Sequence, residues 1–300
     1  MIVDILISAP SDKSQLTFWG DYHFALALGT ALEKLSVSYN ILYADTHIYH
    51  EPNDGSVLLT LRGKHGFNKE RWPHHKKYKR KLLWIISWPS RVKENEVTQY
   101  DHIFVASTLF SNKLKSSFGK KVSTLLQCTD FSLKESAYAC KQRGILFIGN
   151  TRGKQRPLIS AFSNFGVPME VIGNGWQELG IYASRKMISN SELPMMYSNC
   201  LAVLNDHHSD MAEYGFLNNR IFDVLACSTP VITDMSSDCP AEARSGVIDM
   251  NLENLSIPEA IERAIALQCA KSSLVAIQEY IHTYHSFDAR AKQIASQIFG

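Results

Sequence analysis

From Ile2 to Thr233 the chain repeats one pattern. A short apolar, largely β-branched run is followed by a polar break, then by a segment with apolar residues at helical spacing. Strands of that kind have no polar face, so both sides need covering. Alternating with helices, they predict an α/β, doubly wound class with parallel sheets. In the first half the expected strands are Ile2–Ile7, Ile41–Tyr43, Val57–Thr60, Leu82–Ile86, His102–Ala106 and Val122–Leu126, with helices at Phe24–Leu35 and Leu109–Phe118. The polar stretch Thr129–Arg143 reads as a linker, and the pattern then restarts. Strands are expected at Ile145–Ile148, Met169–Ile172, Leu201–Leu204 and Pro230–Thr233, with helices at Arg156–Phe165, Leu193–Ser198 and Leu217–Cys227. Gly166 stands where a C-terminal cap belongs, and Ser256 to Glu259 spells a capping box for a helix Ile257–Gln268. The expectation is two domains, 1–135 and 144–272, facing a cleft. The tail 273–300 is helical with no following strand and is expected to pack on the first domain.

Composition removes several alternatives. Hydrophobic residues make up 45% of 300, enough to build real cores, and a net charge of +2 argues against nucleic acid as the main partner. The six cysteines lie at 128, 140, 200, 227, 239 and 269 and form no CxxC pair, so zinc and redox motifs have no support. The opening MIVDILISAP has no basic lead, is interrupted by Asp4 and ends at Pro10, which fits a buried strand rather than a signal peptide. No run reaches the length of a membrane span. The expected location is cytoplasmic.

Ligands of doubly wound sheets bind outside the carboxyl ends of the strands, so residues there carry the functional argument. In LFIGNTRGKQR a strand ends at Gly149-Asn150, and Arg152, Lys154 and Arg156 follow; a glycine turn with cations predicts an anion site, most naturally for a diphosphate. In EVIGNGWQ a second strand ends around Asn174, flanked by glycines that permit close backbone approach, with Trp176 placed to cover a ring. In LNDHHSDMAEYGFLNNR a third ends near His207. A polar loop then leads to Gly215, Phe216 and Leu217, whose amides could hold phosphate at a helix start. On that helix Leu217, Ile221 and Val224 share an apolar face, while Asn219, Arg220 and Asp223 sit together on another. Asp223 is placed to accept from vicinal hydroxyls such as those of a ribose. The plainer reading is a surface pair of Arg220 with Asp223. His207 and His208 have no third ligand at regular spacing, so no metal site is expected.

The ordered set FIGN, KQR, VIGNGW, LNDHH and NRIFDVLACSTPVITD resembles the second domain of group 1 glycosyltransferases, in particular the branch containing CgeB-like spore-maturation proteins. The matching positions are Arg220, Phe222, Asp223, Ala226-Cys227-Ser228 and Val231–Asp234, and the tail HTYHSFDARAKQI is similar to that branch's ending. LLTLRGKHG, LLWIISWPSRV, YDHIFVAS and LLQCTDFS resemble its first domain more loosely. The resemblance implies the GT-B fold, two Rossmann-like domains, with a nucleotide-sugar donor in the second. It also implies a role in cell-surface polysaccharide biosynthesis. Asp223 would hold the ribose, and Arg152 and Lys154 the diphosphate. Four positions depart from the branch's pattern: Asp for Glu at 223, Ser228 for a glycine, Gly215 where many of these enzymes have an acid, and Trp88-Pro89 for His-Pro.

The chain lacks Asp-x-Asp, the metal-chelating signature of the other main glycosyltransferase fold. A metal-independent mechanism, with no cofactor, is therefore expected, charge being neutralised by basic residues and helix dipoles. The expected partners are a nucleotide sugar and a glycan, lipid-linked or protein acceptor. Asp21 and His23, at the start of the first helix, are the candidate bases; helix capping and core packing are their plainer roles. The segment 62–81, rich in Lys and Arg and interleaved with Trp72 and Tyr78, is a candidate for peripheral contact at the inner membrane face or for a lipid-diphosphate acceptor. Competing readings are a nucleotide-sugar epimerase of GT-B fold and a non-catalytic two-lobed binding protein. No GxGxxG follows a strand, which weakens an oxidoreductase.

Overall fold

The computed structural model describes residues 1–67, 71–132, 143–151, 153–235 and 237–299. They form two compact units. The first takes Met1–Cys128, Ser209–Phe216 and Ser286–Gly300; the second takes Thr129–His208 and Leu217–His285.

The first unit holds a wholly parallel sheet of β1 (Ile2–Leu6), β2 (Ser38–Leu42), β3 (Val57–Arg62), β4 (Arg80–Ile85), β5 (His102–Val105) and β6 (Val122–Thr124). Its order is β2-β1-β3-β4-β5-β6. The chain lays β2 on one side of β1 and then continues on the other, so the switch point lies between β1 and β3. One face of the sheet packs on the helix Gly20–Glu33 through Phe24, Ala25, Leu28 and Leu32. The tail helix Phe287–Phe299 completes that core with Phe287, Ala291, Ile294 and Ile298. Phe24 meets the ring of Trp84 edge-on at 5.2 Å and that of Phe287 at 4.7 Å.

The tail is two helices rather than one. Lys271–Tyr284 belongs to the second unit and Phe287–Phe299 to the first. The break has a local cause: His285 stacks on Phe222 at 5.2 Å, and Ser286 Oγ accepts the Ala289 amide at 3.3 Å in the manner of a fresh N-cap. In the segment 62–81 the rings of Trp72 and Tyr78 face inward while Lys64, Lys76, Lys77 and Lys79 are exposed. Arg62, Trp72 and Tyr78 are buried, Trp72 Nε1 donates to the His50 carbonyl and Tyr78 Oη donates to Asp4. These two rings belong to a core cluster with Leu6, Leu42 and Leu58. Among the described residues no helix is long and apolar enough to cross a membrane.

The second unit holds β7 (Arg143–Ile148), β8 (Met169–Ile172), β9 (Cys200–Asn205), β10 (Val231–Thr233) and β11 (Val247–Asp249), parallel and in the order β11-β10-β9-β7-β8. Its switch point lies between β7 and β9. Gly166 caps the helix Pro157–Phe165 at φ 80°, and Ser256 and Glu259 close a capping box on Ile257–Cys269. The helix expected over Leu217–Cys227 is shorter, Asn219–Leu225, and a separate turn of helix, Ser209–Glu213, precedes it. Past its end Ser228 adopts φ 49°, a left-handed conformation that suits glycine; its Oγ donates to Gln278 Oε1 at 2.6 Å. A glycine would suit this backbone, and serine holds the same conformation through a buried hydrogen bond.

Candidate functional site

Two arginines meet at the switch point of the second sheet. Arg220, on the helix Asn219–Leu225, donates through Nη2 to the Ile148 carbonyl at 2.6 Å and through Nη1 to Asn205 Oδ1 at 3.3 Å. It therefore bridges the ends of β7 and β9. Arg156 forks onto Asp206, Nε donating to Oδ2 at 2.7 Å and Nη2 to Oδ1, while its Nη1 donates to the Asn150 carbonyl at 2.9 Å. Both guanidinium groups lie near the Phe147 ring, at 4.9 Å and 5.2 Å from its centre. Their electrostatics differ. Arg156 is neutralised by a buried carboxylate; the hydrogen bonds of Arg220 go to uncharged oxygens, and no ion pair joins it among the described residues.

Asp223 is not the surface partner of Arg220. It is buried, accepts from Asn219 Nδ2 at 2.9 Å and is bonded by the Thr129 side chain. Burial raises its carboxyl to about 8, opposed by the Thr129 bond and, more weakly, by Arg220. The charged carboxylate expected at this position is thus largely protonated at neutral pH.

Several other expected contacts are spent inside the protein. The amides of Gly215 and Phe216 bond the carbonyls of Ala212 and Met211 at 3.2 Å and 2.8 Å, closing the turn after Ser209–Glu213. Phe216 and Leu217 are fully buried, and Phe216 packs in the first unit's core. These amides do not form the phosphate turn that the sequence predicts. His207 is sealed beneath Asp234, whose carboxylate takes Nδ1 at 2.7 Å and the His207 amide at 3.0 Å. Trp176 covers no open face; it is buried edge-on against Phe147 and donates to the Gly149 carbonyl at 2.8 Å. The glycines of the Gly-Asn-Gly turn serve close packing of protein on protein. A Cβ at Gly173 would lie 2.1 Å from the Gly149 carbonyl, and one at Gly175 2.1 Å from Thr151 Oγ1. The amide of Asn174 bonds Asn150 Oδ1 at 2.8 Å, so the turns after β7 and β8 are tied together. Lys154 is exposed in the first of them; Arg152 lies outside the described residues.

In the first unit Asp21 stands in the first turn of Gly20–Glu33, and the N-cap is Trp19. Its Oδ2 accepts the Ser8 amide at 2.8 Å, just past β1. Among the described residues, Asp21 Oδ1 and the neighbouring Ser8 Oγ are buried without a hydrogen-bond partner. Burial raises the Asp21 carboxyl, and backbone amides led by Ser8 oppose the rise. His23 Nε2 lies 2.9 Å from the Thr17 carbonyl, which can only accept, so that nitrogen carries a proton. Sequence reasoning had Asp21 but not Ser8, and it had the basic turn but not the pairing of Arg156 with Asp206. Both depend on which strand ends become neighbours.

Residues 152–296 match the glycosyl transferase-like family. The fold is that of GT-B glycosyltransferases. It is similar to T4 phage BGT in complex with its UDP-glucose substrate, with a TM-score of 0.63, 13% identity and 99% of each chain covered. It is also similar to a trehalose-6-phosphate protein from E. coli bound with UDP-2-fluoro glucose (TM-score 0.62, 9% identity, 99% of each chain). A third likeness is to AviGT4, a glycosyltransferase involved in avilamycin A biosynthesis (TM-score 0.62, 10% identity, 99% of this chain and 97% of that one). A comparison with curated proteins gives no match. The family match over 152–296 and the GT-B fold point the same way, to a glycosyltransferase-like chain built of two Rossmann-like units. Among the described residues no three acidic, histidine or cysteine side chains gather where they could hold a metal ion.

Proposed function

We propose that the chain transfers a sugar from a nucleotide-sugar donor to a hydroxyl acceptor without a divalent metal. The observation that carries the reading is Arg220, an uncompensated guanidinium fixed across the switch point of the second sheet. The diphosphate of the donor binds there, and Asn219 and Asp223 address the ribose. As the bond from the anomeric carbon to the diphosphate oxygen breaks, charge grows on the leaving group, and a preorganised cation favours that state over the ground state. Asp21 takes the proton of the acceptor hydroxyl while its oxygen bonds the anomeric carbon; a carboxyl raised by burial is a stronger base than an exposed one. The UDP-sugars of the similar structures and the match of residues 152–296 to the glycosyl transferase-like family support this reading. Calorimetry with UDP, with and without EDTA, tests it. Arg220→Gln is expected to weaken UDP about tenfold to a hundredfold, the loss of a charge-assisted hydrogen bond. Chelator should change nothing. UDP affinity that disappears with EDTA, or that is indifferent to Arg220→Gln, would overturn the proposal.

A further inference from the structure

A second constellation occupies the carboxyl ends of β3 and β4 in the first unit. Trp88 stands in left-handed backbone, φ 56° and ψ 56°, a costly conformation for any side chain with a Cβ. Arg62 enforces it. Buried at 1% exposure, its guanidinium donates to the carbonyls of Gly63 at 2.7 Å, Trp88 at 3.1 Å and Arg91 at 2.7 Å. Its own charge is balanced by Glu96, with Nε donating to Oε1 at 3.2 Å. One satisfied cation thereby fixes three loop carbonyls and the posture of the Trp88 ring. Two further cations approach that ring: the Arg91 guanidinium at 4.7 Å and the Lys64 ammonium at 5.9 Å from its centre. Both are exposed, and neither is ion-paired among the described residues.

The loops that carry Lys64 and Trp88 start beside the open oxygens of the same unit. A Cβ at Gly63 would lie 3.6 Å from Ser8 Oγ and 3.8 Å from Ser87 Oγ, so the ends of β1, β3 and β4 converge beside Asp21. The two halves want different chemistry. Among the described residues Asp21 Oδ1 has no donor, and its carboxyl would repel an anion; Lys64 and Arg91 have no ion-pair partner there and would attract one. We propose that this shelf takes an acceptor carrying a phosphate close to the hydroxyl that receives the sugar, with the hydroxyl on Asp21 and Ser8 and the phosphate on Lys64 and Arg91 beside Trp88. The hydroxyl half rests on the glycosyltransferase reading; the phosphate half stands on these residues alone.

Binding to the full chain decides it, with glucose 6-phosphate as the soluble probe, glucose as its neutral counterpart, and vesicles of phosphatidylcholine with or without phosphatidylglycerol. Either glucose 6-phosphate or the phosphatidylglycerol vesicles should bind, which also tells a soluble from a lipid source, while glucose and plain phosphatidylcholine should not. The double change Lys64→Gln, Arg91→Gln should weaken the phosphate probe about tenfold or more and leave UDP affinity unchanged. Trp88→Gly keeps the left-handed backbone without strain and removes the ring; affinity should fall with no loss of melting temperature. Failure of both phosphate probes to bind, equal binding of glucose, or a double variant that binds like the wild type would overturn the proposal. A wild type that binds glucose 6-phosphate but not UDP would sink the donor reading and leave this site in place.

Discussion

The two sheets end in shelves of the same topology and opposite finish. On the second, the strand-end cations and histidine are spoken for: Arg156 by Asp206, His207 by Asp234, Arg220 by two strand-end oxygens, and the buried atom left open there among the described residues is a neutral amide oxygen, Asn218 Oδ1. On the first, Asp21 Oδ1 and Ser8 Oγ are buried with no partner among the described residues, and one of them is a carboxylate oxygen. A shelf that presents a fixed cation suits a ligand whose charge is constant, as a diphosphate's is. A shelf that leaves a carboxylate oxygen open suits a group whose proton must leave. The difference is one of timing: the first kind of contact is made before the reaction, the second during it.

The contrast can be broken most sharply at Asp21. Asp21→Asn keeps the shape and the Ser8 contact but cannot take a proton, so transfer should fall by about a hundredfold to ten-thousandfold with UDP affinity unchanged. Turnover and calorimetry on one preparation check both halves; equal loss of binding would make Asp21 a structural residue.

Asp223 tests whether the second shelf is as settled as it looks. Its folded carboxyl stands at about 8 against an ordinary value of 3.8, so the folded state holds a proton that the unfolded chain has released. Its contribution is therefore whole below about pH 4, falls as pH rises, and is gone above about pH 8. Melting curves across that window should show stability declining, by several kcal/mol at most, and Asp223→Asn should flatten the decline. A variant with the same pH profile as the wild type would mean that Asp223 ionises freely.

The smallest expected effect is at Arg156. Arg156→Gln leaves the buried Asp206 carboxylate without its partner and should cost about 3 kcal/mol of stability. Adding Asp206→Asn should recover much of it, and UDP affinity should follow Arg220 rather than Arg156. Denaturant midpoints of the two single variants and the double separate a wired pair from a ligand contact.

Much of the architecture was legible because a parallel sheet writes itself in the sequence. The apolar runs at Val57–Thr60, Leu82–Ile86 and Met169–Ile172 have nowhere to go but a sheet covered on both sides. Caps at Gly166 and Ser256 were legible for the same local reason. The site was legible only as a list of strand ends. Whether an amide at Gly215 faces outward depends on a short helix, Ser209–Glu213, whose polar sequence carries no periodic signal. Whether Arg220 pairs with Asp223 depends on Ile148 and Asn205, far away in sequence and adjacent only once β7 and β9 are neighbours. Trp72, Trp176 and Tyr78 misled for a related reason: an aromatic beside polar residues reads as exposed until its hydrogen-bonding edge finds a carbonyl or carboxylate inside.

The allocation of chain between the units bears on how such a protein can be cut or recombined. The boundaries at 128, 208, 216 and 285 mean that the polypeptide changes unit four times. Neither unit is a cassette. A fragment stopping at Cys128 would expose the apolar surface that Phe287, Ala291, Ile294 and Ile298 cover, and a graft of the second unit alone would have to splice around Ser209–Phe216. Donor and acceptor preferences in such an architecture drift by substitution within one continuous thread. Exchanging whole halves would require four matched junctions at once.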